Sequence, residues 1–206
     1  GELALTAPVL FGRLHVLPLA EALLAKHPAL DVRLTFVDRV THLVEEGFDL
    51  AVRIGTLSDS ALVALPLTEV RRVLVASPDY LRSQGAPAAP ADLKAHRIVA
   101  FEGLGSTNDW RFGGTEPTGV SVQPRLSVNS ADAAIACALR GAGITRVLSY
   151  QVEGELAAGR LLRVLEPYEP APIPVSLLYQ ASRRGSPNMA AFVKLARQRF
   201  GRVNVP

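Results

Sequence analysis

Asp31-Val32-Arg33-Leu34-Thr35-Phe36-Val37 alternates apolar and polar side chains, with Val32, Leu34 and Phe36 on one side and Arg33 and Thr35 on the other. That period of two predicts a half-exposed strand. Downstream, Leu50-Ala51-Val52 with Ile54 reads as a buried strand that ends at Gly55. Between the two, Val40, Leu43 and Val44 return to helical spacing, and Gly47 is a natural C-terminal stop. Upstream, Glu2 to Thr6 is a short strand that runs into Thr6-Ala7-Pro8. Proline is tolerated in a first helical turn, and the threonine before it can cap. A helix, or a pair of helical pieces, is expected from Val9 to Lys26, kinked or split at Pro18, with Leu19 and Leu23 inward and His27-Pro28 as its end. The first 55 residues therefore read β-α-β-α-β with short connections, a pattern that specifies a largely parallel sheet covered by helices.

The rest of the chain continues in the α/β manner. Leu62 to Ser77 holds extended stretches around Pro66, strongest at Val73-Leu74-Val75-Ala76. Pro78-Asp79-Tyr80-Leu81 opens a short helix, Ser83 to Ala91 is a loop, Asp92-Leu93-Lys94 is one helical turn and Ile98 to Phe101 is a strand. Gly103 to Gly119 is polar and Gly-rich around Trp110-Arg111-Phe112 and predicts a hairpin; Arg125 to Val128 is a further strand. Asn129-Ser130 caps a helix from Ala131 to Arg140, with Asp132 in the first turn where the helix dipole favours an anion. Strand Ile144 to Leu148, helix Gln151 to Ala158, a proline-rich connector from Pro167 to Pro174, strand Val175 to Tyr179 and helix Asn188 to Phe200 complete the chain. In the last helix, Met189, Phe192, Val193 and Ala196 are expected to face inward.

Composition excludes several classes. The chain has 206 residues, of which 49% are hydrophobic and 20% charged, enough for one large domain or two lobes with a sizeable core. A net charge of +3 is too small and too scattered to argue for nucleic acid by itself. The pairs Arg71-Arg72 and Arg183-Arg184 read as solvated surface. One cysteine, Cys137, rules out an internal disulfide and reads as a small core residue; its isolation suits a reducing cytoplasm. No apolar run is long enough to span a membrane, and the N-terminus does not read as a signal peptide. His15, His27, His42 and His96 lack metal-type spacing and are expected at the surface or at helix ends. Gly103-x-Gly105 and Gly141-x-Gly143 lack the rest of a dinucleotide fingerprint, and there is no nucleophile elbow or phosphate loop. No cofactor or metal is expected.

Three segments, in order and spacing, resemble the effector domain of LysR-type transcriptional regulators. The first is Leu5-Thr6-Ala7-Pro8 with the helix ending in Lys26-His27-Pro28. The second is Asp38-Arg39 through Glu45-Glu46-Gly47-Phe48-Asp49-Leu50-Ala51-Val52-Arg53-Ile54-Gly55. The third is Val128-Asn129-Ser130 with Gly141-Ala142-Gly143-Ile144-Thr145-Arg146-Val147-Leu148-Ser149-Tyr150. Leu156-Ala157-Ala158-Gly159-Arg160-Leu161 also fits. The resemblance implies a fold similar to the type 2 periplasmic binding proteins. That is α/β with two Rossmann-like lobes, each with a mixed, mostly parallel sheet, joined by two crossover strands around a cleft. Lobe I would comprise residues 1–74 plus 175–206, and lobe II residues 75–174. The winged helix-turn-helix and linker helix of intact regulators lie outside this sequence, so DNA would be contacted only through the parent protein. A cytoplasmic homodimer or higher homo-oligomer is implied, with the helix ending at Lys26 as a candidate interface.

In such a receptor, ligands bind where strand ends and helix starts face the cleft. Unpaired N–H groups at a helix start favour an anion. One start is Thr6-Ala7-Pro8, with the Thr6 hydroxyl and the N–H groups of Ala7, Val9 or Leu10 as donors; the other is Asn129-Ser130. Each also reads as simple capping. Strand ends add Val37, Asp38, Arg53, Gly55, Phe101, Gly103, Thr145 and Arg146. Phe101 either stacks on a flat ligand or belongs to the core. Arg53 or Arg146 suits a carboxylate bidentately, while Arg53 alternatively pairs with Asp49 or Asp38. A small, anionic effector is the expected ligand. A transporter's solute-binding protein is the alternative on the same fold. Enzymatic function is not expected, because no nucleophile, base and orienting group come together in the sequence.

Overall fold

The computed structural model describes residues 1–57, 61–103 and 107–201; Gly105 of the Gly103-x-Gly105 pair lies outside them. The chain forms two compact units. The first contains Gly1–Glu69 and Ile173–Pro206, the second Val70–Pro172. The lobe boundaries expected at 74/75 and 174/175 both fall inside strands, Arg72–Ala76 and Ile173–Gln180.

The first unit is built on strands β1 (Glu2–Ala7), β2 (Asp31–Phe36), β3 (Leu50–Ile54), β4 (Leu62–Val70) and β12 (Ile173–Gln180), in the order β2-β1-β3-β12-β4. β1 is parallel to both β2 and β3, as the β-α-β-α-β reading requires, and β12 returns antiparallel to β3. The helix after β1 is continuous but irregular: α1 (Val9–Phe11), a π-helical segment (Gly12–Val16) and α2 (Leu17–Lys26). The irregularity lies before Pro18, which sits in the first turn of α2 where its missing N–H is harmless. Gly12 opens the π segment because the Phe36 ring of β2 fills the space of a side chain there; a Cβ would lie 2.3 Å from the ring. The helix expected over Val40 to Glu46 is reduced to a single turn closed by Glu46 N–H to His42 O and Phe48 N–H to Leu43 O. Val40 and Val44 stay exposed. Only Leu43 and Phe48 reach the core, where they pack with Ala4, Ala51 and Leu178. The turn is held from outside by Arg39, which bridges to Glu46 at 2.6 Å and holds that carboxyl well below its usual range.

The second unit contains β5 (Arg72–Ala76), β6 (Ile98–Phe101), β9 (Leu126–Val128), β10 (Ile144–Leu148) and β11 (Leu162–Val164), in the order β11-β5-β10-β6-β9. β10, β6 and β9 are parallel, β5 runs antiparallel to β10, and β11 pairs antiparallel with β5. β11 is a strand that sequence periodicity did not mark, being three residues long with an arginine at its centre. One face of the sheet carries α4 (Ala131–Leu139), against which Val99 packs with Ala134 and Cys137. On the other face, the hairpin β7 (Asp109–Phe112) and β8 (Thr118–Ser121) buries Trp110, Phe112 and Val120 against Leu74, Ile98 and Ile144. α3 (Pro78–Gln84) is capped by Ser77, whose hydroxyl accepts from Tyr80 N–H at 3.1 Å. α5 is Ser149–Ala157. Among the described residues no helix is long and apolar enough to cross a membrane.

α6 (Pro187–Phe200) completes the first unit, burying Met189, Phe192, Ala196 and Phe200; Val193 is half-buried. It also corrects the expected surface role of His15. That ring is half-buried, with Phe11 and Phe200 at 4.8 and 5.6 Å between centroids. Arg199 Nη2 is 3.3 Å from its Nδ1. A guanidinium has no acceptor, so Nδ1 carries the lone pair and the ring is neutral. Burial, and secondarily the Arg199 charge, lower its pKa to about 4. The unfolded chain binds a proton below about 6.5 that the folded chain refuses, so this contribution is complete above that pH and is lost as the pH falls toward 4. Partial exposure screens it to about 1–2 kcal/mol. The urea midpoint is expected to fall between pH 7 and 4.5, and less steeply in His15→Phe; equal slopes would contradict this account.

Candidate functional site

In the first unit the parallel strands β2, β1 and β3 end along one edge of the sheet, and most of the expected site residues of that unit lie there. Thr6 and Ala7 pair with Thr35 and Phe36, and Thr6 also pairs with Ala51. Val37 N–H bonds Ala7 O at 3.0 Å. The Thr6 hydroxyl is buried and has no hydrogen-bond partner among the described residues, an arrangement that costs free energy unless something else satisfies it. The helix tip at Pro8 is already served by the protein's own anion: Asp38 Oδ1 accepts Val9 N–H at 2.9 Å, from 29 residues away. Val9 is therefore not a free donor, and Asp38 acts as a tertiary cap. Arg53 uses Nη2 to bond Thr41 O at 3.0 Å, which ties β3 to the loop before it. It forms no ion pair with Asp49, whose Oδ2 instead accepts Ala4 N–H at 2.9 Å while Oδ1 meets Arg183 at 2.6 Å. Arg183 was expected as solvated surface; it has this buried carboxylate as its partner. Gly55 ends β3 at φ +123°, a left-handed conformation that favours glycine, and its N–H bonds Pro174 O at 2.9 Å.

In the second unit the ends of β6 and β9 lie side by side, Phe101 opposite Val128, with Glu102 N–H bonded to Val128 O at 2.7 Å. α4 begins immediately after β9. Ser130 caps it through its hydroxyl, which accepts Ala133 N–H at 3.4 Å, and Asn129 is exposed beside it. Phe101, Gly103, Asn129 and Ser130 are thus gathered on one edge. The Phe101 ring is half-buried, packs with Val99, Ala134 and Cys137, and fills the space over Gly103.

Thr145 and Arg146 are split by strand alternation. Thr145 pairs with Val99, is fully buried, and its hydroxyl has no partner among the described residues; it shares the α4 face with Phe101. Arg146 points to the opposite face, its guanidinium carbon 4.8 Å from the Trp110 ring centroid. Burial, and then the charge of Arg72, lower the Arg146 pKa to about 10. Arg72 is itself half-buried and its pKa is lowered by burial. Expected to be solvated surface, Arg72 instead lies on the sheet face that Arg146 shares. The sequence reading missed it because a charge pair at a strand start looks the same whether its side chains reach water or a covered face.

The structural neighbours define the class of fold. The regulatory domain of CrgA from Neisseria meningitidis matches with a TM-score of 0.85 at 25% identity, covering 98% of this chain and 99% of that one. Full-length AphB of Vibrio cholerae matches with a TM-score of 0.86 at 24% identity, covering 96% and 68%. Both are LysR-type regulators, whose regulatory domains have the type 2 periplasmic-binding-protein-like fold. The profile of the LysR substrate binding domain matches residues 1–201, and the chain belongs to that family. Its relatives are named as regulators of transcription, which favours the sensor over the transporter reading. The regulator YhjC of Escherichia coli is 31% identical over 94% of this chain, and PtxR of Pseudomonas aeruginosa 32% over 98%. The chain spans 66% and 65% of the length of those two relatives.

Proposed function

We propose that this domain is a receptor for a small anionic metabolite, and not a catalyst. Ligand binding would modulate DNA recognition by a cytoplasmic, homo-oligomeric parent protein. The observation that carries the reading is the gathering of polar groups at strand ends within each unit. Thr6, Ala7, Pro8, Val37, Asp38, Arg53 and Gly55 follow or end the parallel strands of the first. Phe101, Gly103, Asn129 and Ser130 do so in the second, with Thr145 and Arg146 in the adjoining strand. Open α/β sheets bind ligands at such strand ends. Because Asp38 already occupies the helix tip of the first unit, that unit offers a ligand the Thr6 hydroxyl, which is unsatisfied among the described residues. A ligand can shift a two-lobed receptor only by its differential affinity for the two arrangements.

A thermal-shift screen of small organic acids tests this. Ligand at about 100 times Kd adds roughly 2.7 kcal/mol of stability. Stabilisation by particular acids is the expected result. Stabilisation confined to neutral or cationic compounds would overturn the anion assignment.

A further inference from the structure

We propose that Arg72 and Arg146 of the second unit together form a binding site for an oxyanion, a carboxylate or a phosphate, between their guanidinium groups. The inference rests on the sensor reading for its biological meaning, but it concerns a contact within one unit and adds Arg72 to it.

β5 and β10 run antiparallel, with Leu148 opposite Arg72 and Arg146 opposite Leu74. Arg72, Leu74, Arg146 and Leu148 therefore project from the same face, and the two arginines are diagonal neighbours, close enough for long side chains to meet. This is the face covered by the β7–β8 hairpin, with Leu74 and Trp110 in one core cluster. Both arginines are half-buried. Neither forms an ion pair or a hydrogen bond among the described residues; the single recorded partner of Arg146 is the Trp110 ring. The carboxylates that follow β11, the strand beside β5, are engaged elsewhere: Glu166 and Glu169 both bridge to Arg163, at 3.3 and 2.6 Å. Two cations withdrawn from water with no anion between them raise each other's cost. An oxyanion removes the repulsion and satisfies two planar donor forks at once. The aromatic wall at Trp110 gives one side of the site an apolar surface suited to an organic acid.

Trp110 is the sole tryptophan of the chain, so its fluorescence reads events at Arg146 directly. The test titrates this chain at constant ionic strength with inorganic phosphate in one arm and with succinate and benzoate in the other, following Trp110 emission and melting temperature. Saturable emission change with a rise in melting temperature is expected in at least one arm, and which arm responds identifies carboxylate or phosphate as the ligand group. Arg72→Met and Arg146→Met should each weaken the responding oxyanion at least tenfold, while melting without ligand stays equal or rises because the repulsion is gone. Arg146→Lys should retain part of the binding. If acids stabilise the wild type and the double variant Arg72→Met/Arg146→Met alike, this site is wrong while the sensor reading survives. If neither phosphate nor carboxylates change the emission, the site is likewise refuted.

Discussion

Trp110→Ala is expected to lower the unfolding free energy by about 3–5 kcal/mol. The ring is 3% exposed and packs in the cluster that includes Leu74, Ile98, Phe112, Val122 and Ile144. The hairpin it belongs to pairs with no other strand among the described residues; its ladder is the four pairs from Asp109–Ser121 to Phe112–Thr118. A two-stranded ribbon is at best marginal in water, so it owes its order to the apolar side chains it drives into the sheet. Removing the largest of them leaves a cavity and loosens the cover over Arg146. Urea unfolding followed by far-UV circular dichroism measures the loss without needing the missing fluorophore. Trp110→Phe should retain more than half of the stability that alanine loses. A cost below about 1 kcal/mol for alanine would mean that the hairpin is held by something other than this ring.

Gly143→Val is expected to cost about 3 kcal/mol or more, the upper end of overpacking penalties. A Cβ at this position would lie 2.3 Å from Arg97 O and 2.8 Å from Arg97 C. Both are backbone atoms and cannot rotate away. The same carbonyl accepts Ile144 N–H at 2.9 Å, the bond that starts the pairing of β10 with β6. Making room therefore breaks the ladder at its first rung. Gly143→Ala should already show most of the effect, since the collision is with the Cβ itself. Gly154 supplies the contrast within the same unit: it is exposed on α5 with no atom within 4 Å of a built Cβ. Gly154→Ala should stabilise by up to about 1 kcal/mol through helix propensity. Chemical denaturation of the two variants should move in opposite directions, and a shared direction would contradict the steric argument.

Part of the candidate site was legible because its signals are local. Ser130 caps α4 through its own hydroxyl three residues ahead, so Asn129-Ser130 before an alanine-rich run announces a helix start. Part was not, because the partner is far along the chain. The carboxylate on Val9 N–H belongs to Asp38, and Arg183 meets Asp49 across more than a hundred residues. The same distance hid the role of Arg72, which has a meaning only beside Arg146 on a neighbouring strand.

Local periodicity by itself determined the parallel core of each unit. The alternation of Asp31–Phe36, the buried Leu50–Ile54 and the apolar Ile98–Phe101 each identify a strand through side chains two residues apart. Tertiary structure decided the rest. Val40, Leu43 and Val44 have helical spacing, yet only one turn forms, because Arg39, Glu46 and Arg53 hold that segment to its surroundings. β11 is a strand only because β5 offers it an edge. Thr145 and Arg146 are adjacent in sequence but face opposite sides of the sheet, one toward α4 and one toward Trp110. Spacing along a chain encodes what a residue does to its neighbours within a turn or a pleat. Which charge remains without a counter-ion depends on every strand that packs around it.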